Sequence, residues 1–267
     1  MRRLAVVLAL AALSAAVGFV AANAQTERTP TRVFKVTLVG EAETPTGDPV
    51  ATGTATIRIR AVPPQVCSQL AARDLSGPAA AAHIHRGVAG AAGPVIIALR
   101  TPSAAGKSSA CAKPGRALVR AILAHPSRYY VNVHTGEFPA GAIRAQLAGS
   151  RPVVGTILHL ELKGSTEPNA SGTAVLRIRK DAGLVCYRLH AENVTLPTIA
   201  AHIHKGAAGV NGPVVVPFSA PGANGTSSGC TATTAAIIDD ILANRAGYYV
   251  NVHTKEHPGG AIRAQLG

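Results

Sequence analysis

Tryptophan is absent from this 267-residue chain, methionine occurs once, and aromatic residues make up 3% of it. Acidic residues number 13 against 26 Lys and Arg, for a formal net charge of +13. Each shortage excludes something. With so few carboxylates, no acid–base pair recurs along the chain. Glu137 and Glu256 alone match between its two halves, and a single glutamate beside a Gly/Pro turn reads as solvated surface. No serine sits in a nucleophile motif, so a hydrolase has no starting point. No basic run is interleaved with aromatics, which argues against nucleic acid as a partner. The four cysteines lie far apart, unlike the closely spaced pairs of a thiolate metal centre.

Long apolar runs are also scarce. The one present, residues 4–22, follows Met1-Arg2-Arg3 and ends in Ala22-Asn23-Ala24. A basic start, an apolar core and a small-x-small exit are the parts of a secretory signal peptide. Residues 1–24 are therefore expected to be removed, leaving a chain that starts at Gln25 and carries no membrane span. That places the protein outside the cytoplasm: secreted, periplasmic or at the cell surface. A chain this basic is attracted to acidic surfaces such as envelope glycans, although a merely solvated basic surface accounts for the charge equally well.

What the chain does have is a repeat. Ala82-His83-Ile84-His85 recurs as Ala201-His202-Ile203-His204, residues 129–135 as 248–254, and residues 142–147 as 261–266, always 119 positions apart. Before Gly53 and Gly172 the offset becomes 124, a five-residue slip assigned to the Pro/Gly-rich stretch 44–52, as a variable loop would show. The organisation read from this is a first domain over 25–147, a linker over 148–152 and a second domain over 153–267. A linker this short holds the domains in a fixed or narrowly hinged relation. Cys67 and Cys111 are 44 positions apart, as are Cys186 and Cys230. Among the three pairings four cysteines allow, duplication makes Cys67–Cys111 and Cys186–Cys230 the simplest, and export lets them persist.

Period-2 alternation over 34–38, 54–60 with its copy 173–179, and 131–134 predicts strands with one buried face. The apolar runs 95–99 and 214–218, after Gly-Pro turns, and 142–147 at the close of each copy add further strands. The runs 116–123 and 234–243 read as helices. The fold class expected is all-β: two tandem Greek-key β-sandwich domains, each with one short helix and one disulfide. On a strand, His83 and His85 share a face about 7 Å apart, with Ile84 opposite, and Asn132 and His134 likewise share one. Two such strands bring His83, His85 and His134 together, and His202, His204 and His253 in the second copy. These are the only histidines retained as histidine in both copies. Three neutral imidazoles suit copper or zinc rather than calcium or magnesium. Glycines 87, 90 and 93, copied as 206, 209 and 212, let backbone approach the cluster closely. A second account stays open here, in which the histidines form a buried hydrogen-bond network that holds register without a metal.

The blocks Ala-His-Ile-His…Gly-Pro-Val, at 82–95 and 201–214, and Tyr-Val-Asn-Val-His-Thr…Gly-Ala-Ile-Arg-Ala-Gln-Leu, at 130–147 and 249–266, resemble the chordin-domain (CHRD) family over nearly the whole chain after residue 24. The resemblance implies an extracytoplasmic β-domain without an established enzymatic activity. Growth-factor contacts of chordins are attributed largely to separate cysteine-rich modules, so that role does not carry over to a chain with four cysteines. The His-x-His strand is also similar to the copper-ligand strand of copper-zinc superoxide dismutase, with His134 as the later ligand. The zinc loop of that family has no counterpart, and Arg144, the arginine available to steer a substrate, is matched by no motif. The function expected is a non-catalytic binding module for a protein or an acidic envelope or glycan ligand. The alternative is a copper-binding protein holding one copper ion per domain, with dismutation a further variant of it.

Overall fold

The computed structural model describes residues 31–149 and 152–267; the expected signal peptide and part of the expected linker lie outside them. Each domain is one eight-stranded antiparallel sheet. In the first, β1 (Thr31–Val39), β2 (Thr52–Arg60), β3 (Gln65–Arg73), β4 (Ala79–Arg86), β5 (Val95–Ala98), β6 (Lys107–Ala112), β7 (Tyr129–Thr135) and β8 (Ile143–Gln146) lie in the order β5-β4-β7-β8-β1-β2-β3-β6. The second repeats this with β9 (Thr156–Gly164), β10 (Ser171–Arg179), β11 (Leu184–Glu192), β12 (Thr198–Lys205), β13 (Val214–Phe218), β14 (Thr226–Ala232), β15 (Tyr248–Thr254) and β16 (Ile262–Gln265), ordered β13-β12-β15-β16-β9-β10-β11-β14.

The sheet bends where it is thinnest. β1 and β2 pair along their whole length, whereas β1 meets β8 only at Val39↔Arg144. The two halves on either side of that junction fold face to face and enclose one core. Alternation decides which side chains enter it. In β2, Ala55, Ile57 and Ile59 are buried while Thr54 and Arg58 face out; from the opposite half come Ala82, Ile84, Val131 and Val133. Helix α1 (Arg116–Ala124) adds the fully buried Val119 and Ile122. Its copy α2 (Ala235–Ala243) starts at Thr234, whose hydroxyl accepts from the Ile237 N–H, and adds Ile238 and Ile241. Both helices fall where their apolar spacing puts them.

Five strands escaped the alternation rule, among them the cysteine carriers β3, β6, β11 and β14. β6 and β14 hold runs of Ser, Ala and Gly in which polar and apolar positions differ little. Cys67 and Cys111 stand directly opposite on β3 and β6, Cys186 and Cys230 on β11 and β14, and each pair is disulfide-bonded.

The structure brackets the five-residue slip more closely. Gly40 and Gly164 are equivalent, because a Cβ at either would collide with the carbonyl of Asp48 or Glu167 respectively. Asp48 and Glu167 are equivalent too: their carboxylates accept from the N–H groups of Ser76 and Thr195. The insertion therefore falls between Gly40 and Asp48, overlapping the start of the 44–52 stretch read from the Pro/Gly content. Asp48 and Glu167 form a second pair of matched acids that the interrupted register concealed.

The domains touch through ion pairs in which the first supplies every acid. Glu41 bridges Arg177, at 2.5 Å, and Arg179; Asp48 holds Arg188 at 2.8 Å; Asp74 meets His159 at 3.3 Å. No helix among the described residues is long and apolar enough to cross a membrane.

Candidate metal centre

The histidines stand on the outer face of the β4–β7–β8 half-sheet. Antiparallel register sets Ala81 opposite His134, His83 opposite Asn132 and His85 opposite Tyr130; β8 extends the rows with Arg144 opposite Asn132 and Gln146 opposite Tyr130. Because Ile84 and Val131 point into the core, all these polar side chains share the other face. β12, β15 and β16 repeat the grid with His202, His204, Asn251, His253, Arg263 and Gln265.

That outer face is covered by the glycine-rich loop. A Cβ on Gly93 would collide with the Arg86 carbonyl, so the turn demands glycine there. Its N–H donates to Tyr130 Oη at 3.2 Å, and its carbonyl lies 2.8 Å from His85 Nδ1. Tyr130 in turn stacks on the His85 ring with centroids 4.8 Å apart. Arg144 lies over the other side of the Tyr130 ring and donates to the Val88 and Ala91 carbonyls. It is 1% exposed. Arg144 is thus a clamp on the loop rather than a steering charge. Tyr249, Gly212 and Arg263 repeat the arrangement. The tyrosines and the loop carbonyls were not singled out from sequence. They are legible only once strand pairing places Tyr130 beside His85.

In each domain the three histidines bring one nitrogen apiece to within 4.8 Å of one another, and these two triads are the only such groupings of His, Cys, Asp or Glu among the described residues. Their protons are placed by backbone carbonyls, which can only accept. His204 Nδ1 lies 2.9 Å from the Gly212 oxygen, and His253 Nδ1 lies 2.9 Å from the Pro258 oxygen. A neutral imidazole so held has its proton on Nδ1 and a bare lone pair on Nε2. Yet His204 Nε2 and His253 Nε2 face each other at 3.3 Å. Two lone pairs at that distance repel unless a cation lies between them. The third histidine, His202, is buried at Nδ1 with no hydrogen-bond partner there. In the first domain His85 Nδ1 bonds the Gly93 oxygen and His134 Nδ1 the Pro139 oxygen, at 3.0 Å; His85 Nε2 is buried and unpartnered. Carbonyl anchoring of the remote ring nitrogen is how metal-ligating histidines are usually oriented.

A proton is a poor candidate for that cation. Burial, reinforced by the neighbouring imidazoles, lowers the pKa of His83 and brings His202 down to about 4. Burial also lowers His134 and His253, against the opposing pull of their bonds to Pro139 and Pro258. His83, His134, His202 and His253 are thus neutral at neutral pH, and a proton competes for a bound metal at these rings only below the 6.5 of a free histidine.

Glu43, on the loop particular to the first domain, was not foreseen. Its carboxyl is 6% exposed and faces the Asn132 amide and the Arg144 guanidinium; burial raises its pKa to about 7 against the opposing pull of those two groups. Glu43 Oε1 and Asn132 Nδ2 are both buried without a hydrogen-bond partner.

No curated protein and no solved structure matches this chain. A family model, that of the CHRD domain, matches it twice, over residues 34–147 and 158–266. These two spans coincide with the two eight-stranded units and hold both histidine triads. The chain belongs to the CHRD domain family, as two tandem copies.

Proposed function

We propose that this protein is an exported, non-catalytic binding module, and that each domain's built site takes one transition-metal ion, with copper the best fit. The tandem CHRD match supports the binding-module reading. One observation carries the metal: His204 Nε2 and His253 Nε2 face each other as lone pairs at 3.3 Å, each fixed by a carbonyl behind it. The hydrogen-bond network read from sequence as the other account would instead pair a donor with an acceptor at that contact, as His83 Nδ1 and His134 Nε2 can at 3.1 Å in the first domain. Three neutral imidazoles, without thiolate or carboxylate, suit copper and zinc. Among the described residues no second ligand cluster adjoins either triad, so the reading is of binding rather than of a two-metal dismutase.

The test is a titration of the protein lacking residues 1–24 with Cu(II) and Zn(II), read by metal content after dialysis and by thermal unfolding. Two copper ions per chain are expected. One should remain when His85 or His204 is changed to Ala, and none when both are. A wild type whose melting temperature ignores both metals, and which keeps no stoichiometric copper, would sink the metal reading and leave the module with a protein or acidic envelope ligand. Export is tested separately: the protein from its native host should begin at Gln25.

A further inference from the structure

The two sites are not copies. In the second domain the turn from Gly164 to Glu167 is tight, and the Ser165 and Thr166 hydroxyls tie it to the Gly260 carbonyl at 3.0 and 2.7 Å. The space over Gly260, where a Cβ would collide with the Asn251 amide, is filled by that amide. Asn251 Nδ2 donates to the Gly259 oxygen at 3.2 Å, and its Oδ1 has no partner. In the first domain the longer loop carries Glu43 into the same place: a Cβ on Gly141 would collide with the Glu43 carboxyl. Asn132 cannot settle there. Its Oδ1 instead stands 3.1 Å from His134 Nε2, with Asn132 0% exposed. Since His134 Nδ1 bonds the Pro139 carbonyl, Nε2 presents a lone pair, which faces His83 Nδ1 at 3.1 Å and also the Asn132 oxygen, a second acceptor.

We infer that Glu43, by filling the space over Gly141, presses the Asn132 amide oxygen into the first site as a fourth donor, so that the two domains hold different metal sites: three nitrogens and an oxygen in the first, three nitrogens in the second. This rests on the metal reading above. Glu43 touches no ligand atom of the triad and acts as a positioning residue. Its effect is steric, so glutamine preserves it and alanine abolishes it. An added oxygen donor favours Cu(II), an ion that accepts mixed nitrogen–oxygen sets, while a three-imidazole site of low coordination accommodates softer Cu(I) more readily.

The experiment isolates each site in the signal-free full chain: His204→Ala leaves the first, His85→Ala the second. Each is titrated with Cu(II) alone, and the Cu(II) electron paramagnetic resonance spectrum is recorded. The two spectra should differ, and Cu(II) affinities should differ by about tenfold or more, the usual scale for residues that position ligands. With only the first site present, Glu43→Ala should move its spectrum toward that of the second, whereas Glu43→Gln should leave it in place. As a check that does not touch Glu43, Asn132→Ala should alter the first-site spectrum and Asn251→Ala should leave the second unchanged. Copper at both sites with identical spectra, or a first-site spectrum indifferent to both Glu43→Ala and Asn132→Ala, overturns the inference and leaves the metal reading standing. Failure of both sites to take copper removes both.

Discussion

At Glu43 the balance between burial and charge can be measured without any metal. Its folded pKa of about 7 exceeds the 4.5 of a free glutamate. Between those values the folded chain keeps a proton that the unfolded chain releases, so stability is lost as pH rises from 4.5 to 7. Glu43→Gln carries no charge at any pH and should escape the loss. It should match wild type near pH 4 and exceed it at pH 8, with an upper bound on the order of 3 kcal/mol. Urea unfolding of the metal-free chain at the two pH values checks this, and a variant equally stable or less stable at both would contradict it. The histidines of the same site were legible in advance because period 2 fixes which side chains share a strand face. Glu43 was not, because it lies in an insertion with no counterpart in the second copy. Nothing in its neighbours signals that its side chain turns in over Gly141.

Among the elements, β3 and β6 sit at the end of the sheet away from the histidines, joined by Cys67–Cys111. A 44-residue closure of this kind stabilises by about 4 kcal/mol in the chain-entropy account. Replacing Cys67 and Cys111 with alanine should cost the first domain about that much while leaving copper stoichiometry at two, as read by denaturant unfolding and metal analysis. Loss of the first site's copper while the domain stays folded would show that the two ends of the sheet are coupled. The loop covering the triad answers to a different contact. Tyr130→Phe removes the acceptor for the Gly93 N–H and should cost about 1 kcal/mol. Tyr249→Phe should cost the same, because Gly212 makes the same bond at the same 3.2 Å. A large inequality between the two would mean the loops are held differently. The strands with strong Val/Ile/Thr alternation and the two amphipathic helices were legible. The cysteine strands were not, since Ser-Ser-Ala-Cys-Ala and Thr-Ser-Ser-Gly-Cys offer no contrast between faces. Their pairing was visible only through the repeat.

On the scale of the whole molecule, duplication created two similar sheets, and the insertion in the first copy supplied Glu41, one of the acids that join them. Arg177 shows the effect. Its repeat partner Arg58 is exposed, whereas Arg177 is 1% exposed, with Nε and Nη1 lacking partners. It is tolerated in that setting because Glu41 neutralises it, along with Arg179. Glu41→Ala would strand a buried guanidinium, which is costly, whereas an apolar residue of similar volume in its place costs little. Glu41 is itself 37% exposed, so solvent screens part of the pair. The expected destabilisation by Glu41→Ala is about 1–3 kcal/mol, and Arg177→Met in that background should recover most of it. Since the pairs lie between domains, the loss should appear as a separation of one unfolding transition into two, and wild type should show the same trend as salt screens Glu41. Calorimetry of wild type, Glu41→Ala and Glu41→Ala/Arg177→Met at low and high salt distinguishes the outcomes. If all three unfold alike, the Glu41 pairs contribute nothing to docking.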